Sequence, residues 1–306
     1  MFLIPGFAKV IEMISPSGTE VEVISRQIAN AHTAFNVINT IIWIPLIWLM
    51  VKIVMWILPD KGETKEEQIT TKYLDTHVIG QPIAALQLVS KEIVNYTEQI
   101  EKLLLSIKEA MLKGGKEALE KADEIGEGVR GIHKDIHDYL LSLFTAGAMT
   151  EEQSQYTTEV LYIVEDLERI TKCMIDLLDS AKTKEIGKFV FSKEAMKELE
   201  ESFEVISAMY LQSSAMIKDG NKEAEEDIRS YMKRITKLRK SVRKNHKKRV
   251  KEGSCRPELT TIYASIFLSM ERIGENCSNI TESVTEDMYL RYLPEEQIHD
   301  IEVQAN

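Results

Sequence analysis

The chain has 306 residues, 44% hydrophobic, 28% charged and 7% aromatic, with a formal net charge of −11, 14 Gly, 7 Pro and 3 Cys. Enough apolar residues to bury a core exclude broad disorder, and the Gly, Pro and Cys counts exclude collagen-like and disulfide-stapled folds. The acidic balance argues against a general nucleic-acid binder. Few Gly, Pro and aromatic residues among many Glu, Lys, Leu, Ile, Met and Ala favour an all-α chain. A mean hydropathy of −0.18 describes an ordinary soluble protein, but that average covers two different segments.

Residues 1–60 form the apolar segment. Met1 to Ile14 (MFLIPGFAKVIEMI) is too short to span a bilayer and reads as the tail of another membrane helix or a re-entrant piece, broken by Ser15-Pro16-Ser17-Gly18. Arg26 to Asn36 is helix-compatible and carries polar groups into the next run. From Val37 to Leu58 the sequence VINTIIWIPLIWLMVKIVMWIL holds Lys52 as its only charge and all three tryptophans, Trp43, Trp48 and Trp56. About 20 mostly apolar residues cross roughly 30 Å of hydrocarbon, so a full transmembrane helix is predicted at 37–58; a buried core helix is the alternative. The run lies too far in, and lacks the basic start, to be a cleaved signal peptide. Lys61, Lys65 and Lys72 after it, against Lys9 and Arg26 before it, place the C-terminal side in the cytoplasm. Cys173, Cys255 and Cys277 are scattered, as expected of thiols kept reduced.

A charged linker (61–72) leads into long amphipathic helices. Within Asp75–Leu112, Ile79, Ile83, Leu86, Val89, Ile93, Ile100, Leu103 and Leu104 recur near a period of 3.6. Gly114-Gly115 is a turn, a second helix runs to about Phe144, and Thr150-Glu151-Glu152 starts a third that runs to about Ala181. The pattern then restarts, with helices over Ser192–Ile217, Lys222–Lys251 and Glu258 to about Val284. Asp166-Leu167-Glu168-Arg169-Ile170 recurs as Ser269-Met270-Glu271-Arg272-Ile273. The expected organisation is therefore two three-helix halves, 73–187 and 188–290, followed by a flexible tail at 291–306.

Arg229 to Lys251 contains twelve Lys or Arg residues, after an acidic stretch from Glu194 to Asp227. Either this is a solvated face paired with the acidic helix, or Lys244, Lys247, Lys248 and Arg249 lie against anionic lipid headgroups. Nucleic acid is not an expected partner, because the run lacks interleaved aromatics. His133 and His137 share a helix face near Asp138, a spacing compatible with a transition metal, with no third ligand signposted. No phosphate-binding loop, dinucleotide fingerprint, kinase set or nucleophile elbow is present, so no enzyme is expected.

Ala31-His32-Thr33-Ala34-Phe35-Asn36, running into Trp43-Ile44-Pro45, resembles the end of the transport domain of sodium/phosphate cotransporters. Tyr73 to about Glu286 resembles PhoU-like domains, through Asp166–Ile170, Met270–Glu282, Asn245-His246, Gly253-Ser254-Cys255, and Leu74-Asp75 with Pro82 to Leu86. Together these resemblances imply the C-terminal part of a bacterial sodium-dependent phosphate symporter, sited in the inner membrane, with a cytoplasmic PhoU-like regulatory domain of two three-helix bundles. The Gln-Ser-Ser repeats of that family's ion pathway are absent, so the chain reads as a truncated or split portion. Implied partners are the rest of the membrane domain, sodium, inorganic phosphate, an anionic membrane surface and a second copy of the chain. A membrane-tethered signalling module acting through partner proteins is the alternative.

The PhoU-like resemblance also implies acids four apart on a helix that hold a divalent or iron ion. Glu271 and Glu275 keep that spacing; Glu168 and Lys172 do not, and Arg130 and Thr236 stand where partner acids are expected, so the site reads as degraded. Glu271 and Glu275 are then either an ion site or an exposed acidic pair. His32 and Asn36 share a face before the span, as an ion-pathway contact or as interhelical hydrogen-bonding groups.

Overall fold

The computed structural model describes residues 9, 11, 13–15, 21–57, 69–286 and 288–292. The chain divides into two units, Met1–Glu67 and Gln68–Asn306. In the first, helix α1 runs over Val21–Ile57. Asn30 donates from Nδ2 to Ser15 Oγ at 2.9 Å. Most of the apolar segment expected at 1–14 lies outside the described residues.

Among the described residues no helix is long and apolar enough to cross a membrane. The transmembrane helix expected at 37–58 is thus not found among them. Its backbone is helical to Ile57, but the side chains of Ile42, Pro45, Trp48, Leu49, Val51 and residues 53–57 are outside those described.

The second unit is all-α among the described residues: a 3₁₀ turn at Thr76–Val78, then α2 (Pro82–Lys113), α3 (Lys116–Ala146), α4 (Glu151–Ile186), α5 (Lys193–Asp219), α6 (Glu225–Lys251) and α7 (Leu259–Thr285). Three helices lie within the expected first half and three within the expected second. Local chemistry sets the boundaries. Pro82 opens α2, where its missing N–H costs nothing. Thr150 and Gln153 form the reciprocal hydrogen bonds of a capping box at α4. Ser192 accepts from Ala195 N at the start of α5. Gly147 and Gly220, at φ 63° and 67°, end α3 and α5 in the left-handed conformation that glycine adopts without strain.

Each half packs its three helices against one another, and the halves meet along α4–α7 and α2–α5. Leu167, Ile170, Met174 and Leu177 of α4 and Ile266, Met270, Ile273 and Cys277 of α7 are all fully buried in one continuous core. Where α2 meets α5, the buried Tyr210 hydroxyl donates to the Thr97 carbonyl at 2.8 Å. Helices α3 and α6 thus become the outer helices of their halves.

The chain enters this unit by docking onto it. A Cβ at Gly128 of α3 would fall 2.5 Å from Ile69 Cβ, so only glycine lets residue 69 lie so close. Glu92 of α2, with no exposed surface, accepts from the backbone N–H of Lys72 at 2.8 Å and of Tyr73 at 2.7 Å. Its other oxygen accepts from Asn95 Nδ2 at 2.7 Å. The linker expected over 61–72 is therefore fixed from residue 69. At the other end, the tail expected from 291 is held as far as Tyr292: Arg291 ion-pairs with Glu159, and the Tyr292 ring meets Tyr156 edge-on at 4.9 Å.

Glu92→Ala strands two amides and an asparagine in the interior, a cost of about 1–3 kcal/mol. Urea unfolding of residues 68–306 should show that loss, and hydrogen exchange should speed at the Lys72 and Tyr73 amides.

Candidate functional site

The repeated signature places one carboxylate at the same position in each half. Its apolar members point into the core, which leaves Glu168 and Glu271 to meet the outer helix of their own half. What they meet differs.

In the first half Glu168 meets an imidazole. Its Oε1 lies 3.8 Å from His133 Nδ1, while Lys172, one turn on, takes Oε2 at 2.8 Å. Glu165 Oε1 lies 3.7 Å from His133 Nε2. Donor atoms from His133, Glu165 and Glu168 all fall within 4.8 Å of one another. His133 Nε2 is buried and has no hydrogen-bond partner. A cavity of about 170 Å³ adjoins the group, lined by Tyr96, Arg130, His133, Glu168, Thr171 and Lys172 among others. Burial raises the Tyr96 hydroxyl well above its ordinary value, so it stays protonated there.

One imidazole nitrogen and two carboxylates suit a borderline divalent ion such as zinc, manganese or ferrous iron, at bond lengths of about 2.0–2.2 Å. The orphaned Nε2 and Glu165 Oε1 beside it would offer such an ion two donors, while Glu168, nearer Nδ1 and paired with Lys172, would have to move to give a third. His137 is not in the group: its ring lies 6.0 Å from that of His133, and its Nδ1 lies 3.7 Å from Asp138.

In the second half Glu271 meets a guanidinium. It is buried, and its Oε2 lies 2.7 Å from Arg239 Nε of α6, whereas Glu275 is exposed. The four-residue spacing thus does not produce two carboxylates open to one cation. Arg239 supplies the positive charge that a metal would have brought.

The basic helix α6 has two faces. Lys244, Lys247 and Lys248 are exposed, the last 3.8 Å from Glu252. Arg249 departs from the expected lipid-facing set. The helical period turns it inward with Val242 and His246, where its fork holds Glu198 of α5 at 3.2 and 2.7 Å and lies 5.8 Å over the Tyr263 ring. Arg234 pairs with Glu201 at 2.9 Å, so the acidic helix takes part of the basic run. On α1, His32 and Asn36 are both exposed.

With this geometry in hand, comparison with known proteins gives three findings. Residues 199–284 match the PhoU domain family. The chain is 19% identical over 258 residues to a Salmonella typhimurium protein named "Putative inorganic phosphate export protein YjbB". The match takes in 83% of this chain but 47% of that protein, so the chain spans about half the length of the curated relative it matches. No solved structure matches the chain.

Arg249→Lys, which keeps the charge but loses the fork, should destabilise the unit by about 1–3 kcal/mol in urea unfolding. Lys244→Gln, Lys247→Gln and Lys248→Gln should each stay within about 0.5 kcal/mol of the parent.

Proposed function

We propose that the chain is the C-terminal part of a sodium-dependent inorganic phosphate symporter, whose six-helix unit regulates transport from the cytoplasmic face of a prokaryotic inner membrane. The observation that carries this reading is the PhoU match at 199–284, set within a duplicated helical unit that follows an apolar helix. The relative named for phosphate export supports a phosphate-linked role.

The first unit supports a membrane setting. Helix α1 exposes Ile41, Trp43, Ile44, Leu46, Ile47 and Met50, at positions spread around its circumference. A helix apolar on all sides is buried in protein or lipid, because water penalises every such face. Lipid and the remaining transport helices are the coverings this reading supplies. His32 and Asn36 would meet those helices as polar groups do inside membrane bundles.

The role is one of binding and regulation rather than catalysis. A divalent ion held by His133, Glu165 and Glu168 would tie α3 to α4, so its occupancy would set how firmly the first half is closed. The exposed lysines of α6 would hold the unit near anionic headgroups, each contributing about 1 kcal/mol at the surface. A second copy of the chain is a further partner on this reading; nucleic acid is not.

The experiment is sodium-driven uptake of labelled phosphate into inverted and right-side-out vesicles carrying the chain with its transport helices, with and without residues 68–306. Deletion should change the rate or its phosphate dependence while sodium coupling persists. Unchanged uptake would contradict regulation, and phosphate signalling by the chain without any uptake would favour the tethered signalling module. Separately, the triple variant Lys244→Gln, Lys247→Gln, Lys248→Gln should bind phosphatidylserine vesicles more weakly at low salt, and equal binding would remove the lipid contact.

A further inference from the structure

The α6–α7 hairpin of the second half holds a cysteine beside a buried histidine, and nothing in the regulatory reading uses either. Cys255 is a free thiol and partly exposed. Its Sγ lies 3.7 Å from His246 Nδ1. The histidine is fixed from every side. Its Nε2 lies 3.0 Å from Thr260 Oγ1, and its ring stacks on Tyr263 at 5.0 Å and 18°. Only 4% of the residue is exposed. The loop is fixed as well: Ser254 N and Oγ both donate to the Arg249 carbonyl, at 2.9 and 3.1 Å.

The tautomer that carries its proton on Nε2 donates to Thr260 Oγ1 and leaves Nδ1 to accept from the Cys255 thiol, whose other acceptor is the Arg256 carbonyl at 3.8 Å. Burial, then the charge of Arg249, holds the imidazole below its ordinary value, with Glu198 opposing, so the ring is a base at neutral pH. The other two cysteines differ. Cys173 and Cys277 are buried in the core, and burial pushes the Cys277 thiol up to about 12.

We propose that Cys255 is a thiol–disulfide exchange site for small-molecule disulfides, with His246 as its base. The Cys255 thiol gives its proton to His246 Nδ1, and the thiolate attacks one sulfur of the incoming disulfide. A new S–S bond forms to Cys255 as the reagent's S–S bond breaks. Cys255 sulfur is oxidised and the departing sulfur reduced, and that leaving thiolate takes the proton back from the imidazolium. The adduct occupies the mouth of the hairpin next to the Arg249–Glu198 pair that joins α6 to α5, so the surrounding thiol state, that of the cytosol on the reading proposed above, is written onto the second half.

The test uses the full chain in detergent and 5,5′-dithiobis(2-nitrobenzoate) as the disulfide. One of the three thiols should react fast, the other two only on unfolding, and Cys255→Ser should abolish the fast phase. His246→Gln should slow that phase by about tenfold or more, as expected for loss of a positioned base. It should also turn a shallow pH profile into the steep rise of an unassisted thiol. Thr260→Val, which removes the group orienting His246 at an exposed position, should slow exchange in the same direction. It provides the test should His246→Gln fail to fold by circular dichroism. A Cys255 rate no greater than that of a free cysteine peptide, or one unmoved by both variants, would overturn the proposal.

Discussion

The burial of α4 against α7 is the constraint on which the helical unit rests. Both helices are third members of their halves, and each is apolar along the face that meets the other. Once Leu167, Ile170, Met174 and Leu177 are committed to that seam with Ile266, Met270, Ile273 and Cys277, the rotation of each helix is set by its own period. The outer helices α3 and α6 must then cover what is left, and the polar positions of the repeat must face them. Glu168 and Glu271 are not placed by their own interactions. They are carried to the α3 and α6 sides by the apolar residues beside them.

This accounts for the divergence of the two halves without loss of the frame. At the equivalent position the first half offers His133 and the second Arg239. A carboxylate buried beside a guanidinium is neutralised within the chain. A carboxylate beside an imidazole, with a second carboxylate near and one ring nitrogen unpartnered, retains capacity for an outside cation. In the second half the carboxylate's charge is spent on a cross-link to α6. An internal pair also joins α6 to α5, where the Arg249 fork holds Glu198.

Among the described residues the order of the helices was legible in the sequence, and their ends to within several residues, because they depend on local signals: a 3.6-residue period, glycine turns, and a cap at Thr150. The repeat signature also located Glu168, and the paired histidines located His133. Their convergence was not legible, because a helix-face argument compares residues on one helix, and here the ligands come from α3 and α4. Glu165 carried no signal of its own; it differs from the other surface acids only by facing His133. Arg249 was misplaced for a related reason. A run of twelve basic residues hides which few the helical period turns inward. The docking of residues 69–73 was invisible for another, since it depends on backbone amides reaching a buried Glu92, and amides leave no mark in a sequence. In α1 the apolar run at 37–58 is plain in the sequence, while the described residues include no helix apolar and long enough to cross a membrane.

The central claim is that one helical frame, used twice, brings together donors for a cation at His133, Glu165 and Glu168 but closes the equivalent carboxylate, Glu271, with Arg239. Anomalous scattering from crystals of the chain grown with zinc or manganese tests it most directly. The account predicts a difference peak among His133, Glu165 and Glu168, lost in His133→Ala, and none at Glu271 and Glu275. A peak at Glu271, or none at His133 with the ion in excess, would contradict it.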